Sequence, residues 1–533
     1  MNKAHVAWLL PLLLVAGCVT GAGNSSRKNF DGRSWWKHIE VLADDNMEGR
    51  ETGSEGLKRA EAYIASQLAA AGVQPAGTQG YYQPIKFESR TLVEKESSAT
   101  FIRDGKPEPL VLGEDAILLT RVDDAADVEA PLVFLGYGLG IPEYKHDDFA
   151  GIDVRGKIAV IITGSPAEIP ASVSSHHQTT AERWKLLRNA GAVGLVSLAN
   201  PAASNVPWSR IALNRQRPSM DLVGAEFAET AGQKLWMFFN PERAEKLFRN
   251  SGHTFGELAA LAKDRKALPR FPLPVSIKAS TRFERKQLES SNVVAVLPGT
   301  DPILKNEYVV LTAHVDHLGI AEPIKGDRIY NGAMDNASGC AVLLDVAASL
   351  KGQAQRRSLL FVFVTAEEKG LLGSKYFSTH PTVPIKSMKA NINIDMFLPI
   401  VPLKMLTVYG LAESDMGDMA RDVAASHGVT VRADPQPLRN IFIRSDQYSF
   451  VRHGVPALVM GIAPTTPEEE KFVRDWSTKN YHAPSDDLSQ PVDLASAGKY
   501  EDIIRALMSK VADADTPPAW KADSFFRRYA TGS

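Results

Sequence analysis

Five short stretches between residues 312 and 487 gather the side chain types that bind divalent cations. They are Thr312-Ala313-His314-Val315-Asp316-His317, Asn331-Gly332-Ala333-Met334-Asp335-Asn336-Ala337-Ser338-Gly339, Thr365-Ala366-Glu367-Glu368-Lys369-Gly370-Leu371-Leu372-Gly373-Ser374, Asn393-Ile394-Asp395-Met396 and Asn480-Tyr481-His482-Ala483-Pro484-Ser485-Asp486-Asp487. Together they offer imidazoles and carboxylates without a thiolate, a donor set that suits zinc or a similar divalent ion. Carboxylates crowded around one point repel each other unless cations sit among them, so two metals fit better than one. Glu367-Glu368 alone would be an ordinary solvated pair. The five stretches in this order carry the chemistry.

The surrounding elements explain how such distant residues meet. Tyr308 to Ala313, Leu359 to Thr365, Ile392 to Ile394 and Ala457 to Met460 are apolar, β-branched runs that predict buried strands. Between them, Ala341 to Leu350, Met416 to His427 and Leu494 to Val511 predict helices. This alternation implies an α/β sheet covered on both faces. Three of the strands run directly into His314, Glu367 or Asp395. Sites in open α/β sheets gather outside the carboxyl ends of strands, and an unpaired carboxylate buried there would be costly.

The remainder of the chain divides by texture. Val6 to Ala16 is a short apolar run after Lys3 and His5, too short to span a bilayer, and reads as a signal peptide over 1–17. Val15-Ala16-Gly17-Cys18 resembles a bacterial lipobox whose Cys18 is lipidated, with 18–30 as a flexible tether. Val19 after the cysteine favours, by the same resemblance, the outer membrane facing the periplasm. Cys18 and Cys340 are the two cysteines, so a lipidated Cys18 leaves no intramolecular disulfide, and Cys340 sits in an apolar run as a small core residue. Residues 31–119 form the first part of the principal domain. There Leu57, Ala60, Ile64, Leu68 and Ala71 recur at helical spacing before Gly72. The charged, turn-rich loop Met47 to Ser54 lies ahead of that helix. Residues 120–285 change character, with short strands at Pro131 to Leu135, Lys157 to Thr163 and Ala192 to Leu198. His176 and His177 are expected in a surface loop there. Residues 286–512 complete the principal domain, and 513–533 reads as a surface tail. A net charge of −2 with no basic block argues against a nucleic-acid partner. There is also no Gly-x-Ser-x-Gly elbow and no His-Glu-x-x-His helix.

The five stretches closely resemble those of the co-catalytic zinc exopeptidases, the family of bacterial leucyl aminopeptidases, glutamate carboxypeptidase and the transferrin receptor. The resemblance implies a three-layer αβα peptidase domain with a mixed central sheet. It also implies that 120–285 is a β-rich protease-associated insert. On this likeness two Zn2+ ions bind per chain, with Asp335 bridging them. His314 and Asp395 complete one site, and Glu368 and His482 the other. Glu367 is the general base, Asp316 orients the His314 imidazole, and Asp335-Asn336 is a cis peptide. Tyr481 is a candidate donor to the oxyanion. Arg444 to Phe450 resembles a segment lining the substrate pocket, with Arg444 and Asp446 as candidate contacts, although Gln447 stands where many relatives have His. The expected activity is release of N-terminal amino acids from peptides. The alternatives are a carboxypeptidase or dipeptidase that receives a carboxylate on Arg444 or Arg452, a single-zinc glutaminyl cyclase, and a non-catalytic receptor module.

Overall fold

The computed structural model describes residues 1, 29–123, 126–200, 207–353, 355–439 and 441–531. Cys18, the signal segment and most of the tether lie outside them. Among the described residues no helix is long and apolar enough to cross a membrane.

A ten-stranded mixed sheet forms the centre. Its principal strands are β1 (Tyr82–Leu92), β2 (Ser219–Leu222), β3 (Phe283–Leu297), β4 (Tyr308–His314), β5 (Ser358–Val364), β6 (Met388–Asn393), β7 (Met405–Tyr409), β8 (Thr430–Arg432) and β9 (Ala457–Ile462), in the order β2-β1-β3-β5-β4-β6-β9-β7-β8. Strands β5, β4, β6 and β9 run parallel and point their carboxyl ends the same way. Every residue of β5 is buried, as a strand covered on both faces must be. Burial of each of its larger apolar side chains contributes about 1.5–3 kcal/mol.

Helices cover both faces. On one side lie α1 (Arg33–Leu42), α2 (Glu55–Ala70), α3 (Ser338–Ser349) and α8 (Leu494–Asp513), which join Trp35, Ile64, Val342 and Tyr500 into one core with Leu311 and Phe361. On the other, α4 (Leu372–Thr379) and α6 (Gln447–Val451) bring Phe377 and Phe450 against Val310 and Val362. The predicted α2 pattern is seen directly: Leu57, Ala60, Ile64 and Leu68 are buried, Ser54 caps its start, and Gly72 follows its end at φ +79°. The remaining helices used below are α5 (Met416–Ser426) and α7 (Pro467–Asn480).

A second, eight-stranded sheet carries its own core. Its limits differ from the expected 120–285. Ser98–Arg103, Lys106–Pro109 and Ala116–Leu118 already belong to it, so the chain crosses over soon after Leu92. The chain returns between Thr281 and Phe283, and β2 reaches back from within this region to pair with β1. The β1–β3 ladder was missed in the sequence because its β3 half, Phe283 to Ser291, is rich in charge and looks like loop. Its register runs from Phe283↔Leu92 to Val293↔Tyr82, with β2 added on the far side of β1 at Phe87 to Arg90.

Two further expectations are corrected. His176 is no loop residue: it lies in the last turn of the helix Ala171–His177, is buried, and places Nδ1 3.0 Å from the Tyr448 hydroxyl and 2.8 Å from that of Tyr529. The stretch after Asp513 is no free tail, because Trp520 and Phe526 pack with Ile443, Tyr448 and Val451. Both corrections share one cause, since these segments are buried by partners far along the chain that local pattern does not reveal.

Candidate metal centre

Four of the five stretches emerge from the sheet's carboxyl edge or the loop opening α3. His314 is the last residue of β4, Glu367 and Glu368 follow β5, and Asp395 follows β6. Asp335 lies in the loop before α3, and His482 comes just after α7. Backbone that turns this abruptly leaves the common conformations. Ala366, Met396 and His482 all have positive φ, between 53° and 55°, and each is a ligand residue or its neighbour. Left-handed conformations of that kind at non-glycine residues concentrate at functional sites. The peptide Asp335-Asn336 is cis, as the resemblance implied.

Asp335 stands at the centre. Its Oδ1 lies 3.3 Å from His314 Nε2, and its Oδ2 lies 3.2 Å from His482 Nε2. His314 Nε2 is also 3.3 Å from Asp395 Oδ1, and His482 Nε2 is 3.3 Å from Glu368 Oε2. Donors bound to a tetrahedral ion at about 2.0–2.1 Å sit about 3.3 Å from one another. The observed spacings therefore fit a cation between the donors on either side of Asp335. His314, Asp335 and Asp395 converge as one potential ligand group. The charge balance agrees, because Asp316, Asp335, Glu367, Glu368, Asp395 and Asp446 crowd around few cationic groups.

The electrostatics divide these acids. Burial, then the nearby charges of Asp395 and Glu368, pushes the Glu367 carboxyl well above the usual range. Burial also pushes Glu368 up, but His482 and His317 outweigh it and hold that carboxyl well below normal. Asp335 is similarly held low by its bonds to His314 and His482, against burial and Glu368. Glu367 thus holds a proton more tightly than Glu368 and Asp335 do, a separation suited to acid–base work.

The other candidates are placed as follows. The Asp316 carboxylate lies 4.0 Å from His314 Nδ1, beyond a hydrogen bond, and the ring nitrogen faces the Asp316 main-chain oxygen at 3.0 Å instead. The carboxylate accepts the Glu367 and Glu368 amides at 3.0 and 3.3 Å, so it fixes the turn that carries both glutamates. Tyr481 stacks on His482 with ring centres 3.9 Å apart. Asp446 is wholly buried, and burial pushes its carboxyl up to about 7. Arg444 is exposed. Gln447 accepts from Asn393 and donates to the Phe442 carbonyl, a packing arrangement. Cys340 is buried, as expected.

Three contributors escaped the sequence analysis. Arg50, fully buried, donates to the carbonyls of Val315 (2.8 Å), Asn331 (2.6 Å), Gly332 (2.9 Å) and Leu42 (2.5 Å), tying two ligand loops together. Asp486 accepts the Met334 and Asp335 amides at 2.9 and 3.0 Å. His317 forms a second converging group with Asp335 and Glu368. The signals present were the charged loop Met47 to Ser54 and the ends of two quoted motifs.

The fold and the candidate donor set can be compared with those of known proteins. Residues 292–508 match the family described as peptidase family M28. "Aminopeptidase YwaD" of Bacillus subtilis is 32% identical over 108 residues, covering 20% of this chain and 22% of that one. The "probable leucine aminopeptidase 2" of Aspergillus oryzae is 27% identical over 229 residues, covering 40% and 43%. The matches to these two curated relatives thus span less than half the length of either. The solved "Aminopeptidase from Aneurinibacillus sp. strain AM-1" shares the fold over 93% of this chain and 98% of its own, at TM-score 0.56 and 21% identity.

Proposed function

We infer that the protein is a zinc aminopeptidase that releases N-terminal residues from peptides, with two Zn2+ ions held by His314, Asp335 and Asp395 on one side and by Asp335, Glu368 and His482 on the other. The observation that carries this is the split of Asp335, whose two oxygens face two different imidazoles. The relatives named as aminopeptidases point the same way. When bound, paired zinc ions polarise a scissile carbonyl and lower the pKa of water between them towards neutrality. Glu367, its carboxyl raised by burial, accepts the proton of the attacking water and returns it to the leaving amine. Asp316 holds the Glu367 amide so that this carboxylate keeps its position. Tyr481, fixed by stacking on His482, donates a hydrogen bond from its hydroxyl to the developing oxyanion. The chain is exported and anchored by lipid at Cys18, facing the periplasm; the apolar run and lipobox-like Val15 to Cys18 support this.

A digest of matched peptides with free and acetylated amino termini tests the activity. Release of the first residue from the free peptides alone is expected. Release of C-terminal residues irrespective of acetylation would instead favour a carboxypeptidase using the exposed Arg444.

A further inference from the structure

Among the buried side chains around the centre, one imidazole has no assigned part. His317 is wholly buried, and neither ring nitrogen has a hydrogen-bond partner. Its Nδ1 stands 2.9 Å from Glu368 Oε1, an oxygen that is likewise buried without a hydrogen bond. The other oxygen of the same carboxylate faces His482. Glu368 therefore lies between two imidazoles, whose ring centres are 5.8 Å apart at 74°. Donor atoms of His317, Asp335 and Glu368 all come within 4.8 Å of one another.

The surroundings hold His317 in that pose. Its amide donates to the Arg50 carbonyl at 3.0 Å. Gly332, at φ +60°, lies against the ring, and a Cβ there would approach the ring carbons to 2.6 Å. The loop that carries Asp335 is thus moulded around this imidazole. A buried imidazole rigidly placed beside two carboxylates, with one nitrogen 2.9 Å from Glu368 and no well-formed hydrogen bond at either nitrogen, is arranged for a cation rather than for packing.

We propose that His317 is a further ligand of the second cation, joining Asp335, Glu368 and His482 so that this ion is held by four side chains. The inference rests on the two-cation function proposed above. The two imidazoles differ in setting: His482 is 31% exposed in its side chain, while His317 is fully enclosed. His317 closes the inner side of the pocket and His482 its solvent side. With one ligand more than the site of His314, Asp335 and Asp395, the second site binds its ion more tightly.

Crystals of the wild-type protein soaked in zinc, with anomalous scattering to place the ions, test this directly. The expected result is an ion about 2.0–2.1 Å from a His317 nitrogen. An ion beside Glu368 but more than 3 Å from His317 overturns the assignment and leaves the two-cation function standing. Fewer than two ions overturns that function, and this inference with it. In solution, zinc competition with a chelator on H317A should show the tighter of two affinities weakened by about 10–100-fold or more, with the other unchanged. H317N, whose side-chain oxygen lies near the place of Nδ1, should recover part of the loss. Wild-type affinity for both ions in a folded H317A protein refutes the role.

Discussion

The guanidinium of Arg50 offers the sharpest test of how the ligand loops are held. It donates to four main-chain carbonyls, and three of them, on Val315, Asn331 and Gly332, belong to stretches that carry His314 and Asp335. R50M keeps much of the volume and removes the charge and all four donors. Each hydrogen bond to a charged group is worth about 1.5–3 kcal/mol, but the buried guanidinium has its own desolvation cost, so the four do not simply add. Removing one partner of a buried charged network costs about 3–5 kcal/mol, and that is the expected total. Urea unfolding of the metal-free protein and zinc competition with a chelator divide this total between loss of stability and loss of affinity. Because the carbonyls flank ligands, at least about 1.4 kcal/mol should appear as weaker metal binding, a tenfold rise in Kd. R50K, with one short-armed ammonium in place of the fork, should recover a minority of the loss. A total below about 1 kcal/mol with unchanged affinity would show that the loops hold their shape without this clamp.

Three further outcomes follow from the site and its supports. E367Q should keep its metal content and lose about 10²–10⁴-fold in kcat, measured with metal analysis on the same sample; full turnover would remove Glu367 from the proton transfer. D335A removes the carboxylate that faces both imidazoles and should depress binding of both ions, so retention of two ions after dialysis would contradict the bridging arrangement. His176 gives a pH signature: burial, then neighbouring His177 and Arg452, pushes its imidazole down to about 3, whereas the unfolded chain takes up a proton near pH 6.5. Between these values the unfolded state binds more protons, so His176 lowers stability as the pH falls. The slope rises from half of about 1.4 kcal/mol per pH unit at pH 6.5 towards that full value, so the stability difference between wild type and H176Q should shift by about 1.6 kcal/mol, at wild type's expense, from pH 6.5 to pH 5. Parallel curves for the two proteins would refute the burial of a neutral imidazole there.

The candidate donors and the layers that present them are legible in local sequence pattern. Strands β4, β5, β6 and β9 are apolar enough to have no other stable place than a doubly covered sheet, and a sheet of that kind offers its carboxyl edge as a site. His314 ends such a strand, and Glu367, Glu368 and Asp395 follow one within four residues, so their convergence was legible from local pattern. The supports around them come from packing between distant parts of the chain. Arg50, Asp486 and His317 act through partners up to 282 residues away, and their contacts go to main-chain atoms or to a carboxylate whose direction no local pattern encodes. The same holds for the β1–β3 ladder and for the Tyr448 and Tyr529 hydroxyls around His176. Hydrophobic periodicity reports which face of an element is buried; it does not report which polar group will be found on the other side.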